Sequence, residues 1–228
     1  MSKPQFENRQ RYAVIFDMDG VIVRNKDFHE KAWIEFGKKY GKKVTKEDFE
    51  KSFGSTNRDY IRTIMGKELS NEEIDKLGEE KEQIYRRLYS REIVPVYGLI
   101  DLLKLLRINL CYKTAIATSG PRTNVEFVLD KLGFIDFFDA LVDSSMIKNG
   151  KPQPDVFIKA SELLDIPPER CLVFEDSPHG IEAAIKANMK VVGLPTSFPE
   201  SQIKGANMII ADFTEINLAD IYELINSF

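Results

Sequence analysis

Two aspartates, Asp17 and Asp19, stand one residue apart in Phe16-Asp17-Met18-Asp19-Gly20, directly after the apolar run Tyr12 to Phe16. Thr118 and Ser119 follow a second run, Thr114 to Ala117, and Glu175 and Asp176 follow a third, Cys171 to Phe174. Lys151 lies in Asn149-Gly150-Lys151-Pro152, just ahead of a helix that Pro154 and Asp155 can open. Carboxylates, a hydroxyl and an ammonium converging on one rim suit a magnesium ion and a phosphate. Magnesium takes hard oxygen ligands and keeps several waters, so Asp17 and Asp176 are the expected side-chain ligands. A carboxylate can attack phosphorus to give an acyl phosphate, and the ion screens the repulsion between the two anions. Asp17 is the expected nucleophile. Asp19, on the same side if the chain stays extended, is placed to protonate the leaving oxygen and then to take a proton from water. The Thr118 hydroxyl, nearby backbone N–H groups and Lys151 are expected on the equatorial phosphate oxygens, with Ser119 beside them as a substrate contact.

Each element has a plainer explanation when taken alone. Acidic turns after strands are common. A calcium loop needs an acid or amide at its fifth position and Glu at its twelfth, where this chain has Val21 and Phe28. A phosphate-binding P-loop fails at Ser145 and Pro152. Glu175-Asp176-Ser177-Pro178 reads equally as a helix start, with Ser177 as N-cap and Pro178 at the first helical position. The order of the four elements, each at a strand end or a helix start, is what favours phosphoryl transfer.

The elements that must position them are legible as alternation. Val191 to Leu194 and Met208 to Ile210 add two strand-like runs to the three above, and between the runs lie stretches with helical spacing, such as Val125, Val128, Leu129 and Leu132, or Phe157, Ala160, Leu163 and Leu164. Strand alternating with helix predicts an α/β fold, a parallel sheet with helices on both faces, whose ligands collect beyond the carboxyl ends of the strands. The rhythm fails between about Asn25 and Pro95. There Phe28 to Tyr40, Arg58 to Met65 and Asn71 to Tyr89 read as amphipathic, charge-rich helices. The division expected is a catalytic core of residues 1–24 and 94–228 with a helical insertion at 25–93, Gly20 and Gly98 marking the crossings.

With 228 residues, 43% of them apolar and 30% charged, the chain has the usage of an ordinary globular protein. The formal charge of −4 and the lack of a basic stripe argue against nucleic acid as a main partner. Cys111 and Cys171 are far apart and form neither a CxxC nor a disulfide framework, which fits a reducing compartment. The first ten residues are polar and carry no signal-peptide core, and no run is long enough to span a membrane. A soluble, cytoplasmic monomer is expected.

These motifs together resemble the haloacid dehalogenase superfamily. Phe-Asp-Met-Asp-Gly-Val at 16–21 is similar to its first motif, Thr118 to its second, Lys151 in Gly-Lys-Pro-Gln-Pro-Asp to its third, and Phe-Glu-Asp-Ser-Pro-His-Gly-Ile-Glu-Ala-Ala at 174–184 to its fourth. The resemblance implies a Rossmann-like core, an aspartyl-phosphate intermediate, and Mg2+ held by the Asp17 carboxylate, the Asp19 carbonyl and Asp176, with Glu175 nearby. Asp at both 17 and 19 argues against the dehalogenase branch, and the helical insertion resembles the family's small cap domain. Within the β-phosphoglucomutase-like branch, His29 and Lys81 match cap positions that face the active site. Where mutases carry an Arg for a second phosphate, this chain has Asn57, with Arg58 one step later, and their Ser-Lys-Asn stretch is here Gly120-Pro121-Arg122. The expectation is therefore a magnesium-dependent phosphatase of a small sugar or polyol phosphate, with a sugar phosphomutase as the alternative. A binding or regulatory protein that has lost turnover is disfavoured because every catalytic position is filled.

Overall fold

The computed structural model describes residues 11–52, 56–66 and 68–227, so the polar N-terminal ten residues lie outside the described residues. Six strands form one wholly parallel sheet: β1 (Tyr12–Phe16), β2 (Tyr112–Ala117), β3 (Ala140–Val142), β4 (Cys171–Glu175), β5 (Lys190–Gly193) and β6 (Met208–Ile209). Their order across the sheet is β3-β2-β1-β4-β5-β6, which puts β1 and β4 side by side at its centre. The register pairs Phe16 with both Ile116 and Phe174, so the three strands end at one level. Every residue of β1 and β4 is buried, as a strand covered on both faces requires.

Four helices fill the stretch after β1: α1 (Lys26–Lys39), α2 (Lys46–Ser52), α3 (Asn57–Met65) and α4 (Asn71–Tyr89). The remaining five alternate with or follow the later strands: α5 (Leu99–Ile108), α6 (Arg122–Leu132), α7 (Asp155–Leu164), α8 (Pro178–Lys186) and α9 (Leu218–Asn226). Side-chain alternation along β1 divides the core. Tyr12, Val14 and Phe16 pack with apolar residues of α5, α6 and α9, whereas Ala13 and Ile15 face those of α7 and α8. Helices on both faces follow, as the alternation of the sequence predicts. A third apolar cluster, built from Trp33, Phe36, Phe49, Tyr60, Ile61 and Ile74, belongs to α1–α4.

Among the elements to which the sequence reading assigned no residues are β3 and α2. β3 is three residues long with Ala140 and Leu141 only half-buried, too short and too peripheral for a period to register. α2 buries Phe49 alone. No described helix is long and apolar enough to cross a membrane.

Candidate active site

The chain leaves β1 with Asp17, whose N–H still donates to the Phe174 carbonyl of β4 at 3.0 Å. It then turns back at once. The N–H groups of Val21, Ile22 and Val23 all point to the Met18 carbonyl, and Gly20 takes φ +82°, a left-handed conformation that glycine adopts without steric cost. The turn needs glycine for a second reason. A Cβ at Gly20 would lie 1.8 Å from Asp176 Oδ2, so the missing side chain is what lets the end of β4 approach the end of β1.

Asp17 meets Lys151 and Glu175 across this junction. Lys151 Nζ donates to Asp17 Oδ1 at 2.6 Å and lies 3.6 Å from Glu175 Oε2, with all three side chains buried. The other Glu175 oxygen accepts from Ser177 Oγ at 2.6 Å while Ser177 Oγ accepts from the Gly180 N–H at 3.0 Å. Ser177 is thus the N-cap of α8 with Pro178 at its first position, as read from the sequence, and it also orients a carboxylate. Gly180 leaves room for that carboxylate, since a Cβ there would stand 1.6 Å from Glu175 Oε1.

Asp17, Glu175 and Asp176 each offer a ligand oxygen within 4.8 Å of the others. Burial pushes the Asp17 carboxyl up, Lys151 pulls it back, and Glu175 and Asp19 add to the rise, leaving it at about 8. Burial, Glu175 and Asp17 likewise push Asp176 well above the carboxylate range. Burial opposes the charge on Lys151, but Asp17 and Glu175 hold the ammonium charged. Fully ionised, three carboxylates against one ammonium would carry unbalanced negative charge, which is why Asp17 and Asp176 hold their protons more strongly here. An all-oxygen donor set of this kind fits a hard divalent cation such as Mg2+.

A second chain of polar groups runs from Asp19 into the α1–α4 helices. Asn25 Nδ2 donates to Asp19 Oδ1 at 2.5 Å and to the Tyr85 hydroxyl at 2.7 Å. His29 Nε2 lies 3.7 Å from the same Asp19 oxygen, and its ring stacks on Tyr85 with centroids 3.9 Å apart. Burial pushes Asp19 up, but the contacts of His29 and Asn25 outweigh it and hold this carboxyl below its usual value. Lys81 Nζ contacts His29 Nδ1 at 2.9 Å and Glu82 Oε1 at 2.9 Å. Glu82 is completed by Asn57 Nδ2 on Oε1 at 2.7 Å and by Asn124 Nδ2 on Oε2 at 2.6 Å.

Apart from Asn25 and Tyr85, the polar side chains of both groups line one cavity of about 740 Å³ counting its open mouth, floored by the strand ends and roofed by α1–α4. Thr118 and Ser119 join its wall. Thr118 Oγ1 accepts from the Gly120 N–H at 3.0 Å, which leaves the hydroxyl proton free to donate, and Ser119 Oγ is buried without a partner. Of the residues singled out in the sequence, Asp17, Asp19, His29, Lys81, Thr118, Ser119, Lys151, Glu175 and Asp176 come together here. Arg58 does not. Its guanidinium points outward to Asp75 at 2.7 Å, and Asn57 takes the place at the cavity wall.

Asn25, Glu82 and Asn124 escaped the sequence reading. Asn at a helix start reads as an N-cap, yet the Asn25 side chain makes no cap bond to α1 and reaches Asp19 instead. Glu82 looked like one more charge in Glu79-Glu80-Lys81-Glu82. A helical phase drawn through Ile74, Gly78, Tyr85 and Tyr89 was the available signal, because Lys81 and Glu82 are buried on that same side of α4.

A family model described as haloacid dehalogenase-like hydrolase matches residues 14–194. The chain belongs to the haloacid dehalogenase-like hydrolase family. Among the relatives, the β-phosphoglucomutase of Bacillus subtilis is 30% identical over 220 residues, covering 92% of this chain and 94% of that protein. The fructose-1-phosphate phosphatase of Escherichia coli is 32% identical over 186 residues, with 80% of this chain and 96% of that protein covered. A crystal structure of a family IA haloacid dehalogenase-like hydrolase from Entamoeba histolytica superposes with a TM-score of 0.85 at 32% identity, covering 94% of this chain and 99% of that one. The chain spans only 20% and 57% of the length of two Arabidopsis thaliana relatives, which it matches at 31% and 27% identity. The four motif regions read from the sequence fall inside the matched span.

Proposed function

We propose that this hydrolase is a phosphatase acting on a small sugar or polyol phosphate through an aspartyl phosphate on Asp17, with residues 25–93 as a cap domain over the core. The observation that carries the reading is the meeting of Asp17, Lys151, Glu175 and Asp176 at the centre of the sheet, in the same cavity as Asp19 and Thr118. Asp17, Asp176 and the neighbouring Glu175, with the Asp19 carbonyl, would hold Mg2+. When bound, the ion supplies positive charge that favours the ionised form of Asp17 and screens it from the phosphate.

The Asp17 carboxylate forms a bond to phosphorus as the ester oxygen leaves, and Asp19 gives that oxygen its proton. The phosphate dianion beside Asp19 raises its proton affinity, which loads the acid for this step. Once the alcohol has departed, Asp19 is in the ionised form that Asn25 and His29 favour, and it takes a proton from water as the oxygen attacks phosphorus. The bond between phosphorus and Asp17 breaks, so the Asp17 carboxylate is regenerated and inorganic phosphate is released. Lys151 and the Thr118 hydroxyl hold the equatorial oxygens throughout, where charge is spread in the transition state.

Phosphate release from a panel of sugar and polyol phosphates, with and without Mg2+, tests the proposal. Asp17→Asn should lower release by at least about 10³-fold with the fold intact by circular dichroism, since a nucleophile is lost rather than a contact. Undiminished turnover in that variant would remove the nucleophile assignment. The His29–Lys81 contact at 2.9 Å keeps a sugar phosphomutase as a second reading. Conversion of β-glucose 1-phosphate to glucose 6-phosphate without free phosphate, in the presence of catalytic glucose 1,6-bisphosphate, would decide for it.

A further inference from the structure

The cavity roof presents a buried carboxylate. Glu82 is 2% exposed and lines the cavity that holds Asp17 and Thr118. Donors from three directions fix it: Lys81 and Asn57 on Oε1, and Asn124, from α6 on the core side, on Oε2. Asn124 is itself oriented, because Arg86 donates to its Oδ1 at 2.8 Å. A carboxylate has about four acceptor positions, so one remains for a ligand. Burial raises this carboxyl, but Lys81 and His29 outweigh it and bring it to about 2, so Glu82 is ionised throughout the working range.

Among the described residues, no lysine or arginine that lines the cavity is left over for a second anion. Lys81 is matched by Glu82 and turned onto His29 and the face of Trp33, 4.8 Å from its centroid. Arg58 is spent on Asp75 outside the cavity, and Arg86 on Glu79, Thr123 and Asn124. Lys151 lies at the floor against Asp17. The free polar atom nearest in kind to a sugar hydroxyl's needs is Ser119 Oγ, buried and unpartnered in the same cavity.

We propose that Glu82 determines the substrate class: held by Asn57, Asn124 and Lys81, it accepts a hydroxyl from the non-reacting part of a neutral polyhydroxy phosphomonoester and excludes substrates whose non-reacting part carries a carboxylate or a second phosphate. The proposal rests on the phosphatase reading above and deepens it. It makes Glu82 a specificity residue rather than a catalytic one, and it assigns Lys81 the part of tempering the carboxylate's charge.

The test is phosphate release in Mg2+ from two matched pairs, glycerol 3-phosphate against 3-phosphoglycerate and glucose 6-phosphate against 6-phosphogluconate. In the wild type the neutral member of each pair should have a kcat/KM at least about tenfold higher, the factor that even a modest like-charge repulsion supplies. Glu82→Gln should narrow that ratio by about fivefold or more, chiefly through a lower KM for the anionic member. Glu82→Asp, which keeps the charge at this position, should leave the ratio above that of Glu82→Gln. A ratio that follows the charge at this position separates specificity from a general loss of activity, and the Glu82→Asp and wild-type arms stand if Glu82→Gln does not fold. Equal turnover of both members by the wild type, or a ratio that Glu82→Gln leaves unchanged, overturns the proposal while leaving the phosphatase reading standing. Absence of release from all four compounds and from p-nitrophenyl phosphate overturns both.

Discussion

Lys151 and Glu82 show how one charge is used in two ways at residue scale. Lys151 is one ammonium among three carboxyl groups, whereas Glu82 is ion-paired with Lys81 and hydrogen-bonded on both oxygens. The two environments shift carboxyl groups in opposite directions, Asp17 to about 8 and Glu82 to about 2. A carboxyl held at about 2 when folded, against 4.5 when free, contributes stability that is present above about pH 4.5 and lost as the pH falls toward 2. The contribution is on the order of 3 kcal/mol. Thermal unfolding followed across that acid range should therefore show the wild type and Glu82→Gln approaching one another as the pH drops, the gap being widest near neutrality. Parallel curves would assign the carboxylate no such linkage. Asp17, Thr118, Lys151 and the Glu175-Asp176 pair were legible because strand ends and helix starts mark them in the sequence. Asn25 and Asn124 were not, because an amide carries no spacing signal of its own and both act through partners distant in sequence.

At the scale of elements, the turn after β1 and the start of α8 are built around absent side chains. Gly20 and Gly180 each stand where a Cβ would overlap a carboxylate oxygen of the cluster. Gly20→Ala should cost about 1–3 kcal/mol through its left-handed backbone and, by displacing Asp176, abolish the response of the protein to Mg2+. Calorimetry with and without the ion reads both effects from one sample, and an unchanged response to Mg2+ would show that Asp176 can be displaced without consequence. The sheet was readable because its buried strands are continuous apolar runs, and α4 was readable end to end because Ser70 and Glu73 form a capping box at its start. The edge strand β3 and the short α2 were silent for the reason that they bury little. Arg58 was misjudged by its neighbourhood: α3 presents Asn57 to the cavity, and one residue further around the helix Arg58 faces solvent and Asp75.

For the whole molecule, the site joins the sheet's centre to the helices above it, so its occupancy should be felt by both. A ligand at about 100 times its dissociation constant stabilises the folded state by about 2.7 kcal/mol. For a chain of this size each kcal/mol raises Tm by about 2–4 °C. Saturating Mg2+ should accordingly raise Tm by about 5–10 °C, a chelator should reverse it, and Asp176→Asn should blunt it; a Tm indifferent to the ion would count against the carboxylate cluster as its site. The place of that cluster also bears on how the chain finds its fold. Asp17 comes from β1 and Glu175 and Asp176 from the end of β4, strands that are neighbours in space but are separated in sequence by α1–α7 together with β2 and β3. Their pairing closes the longest loop of the sheet's centre, a slow event by its topology, and brings like charges together as it does so. Refolding should therefore pass through a late barrier with an electrostatic component, and the ion proposed for the chemistry would also act as the counter-charge that lets the two halves of the sheet meet.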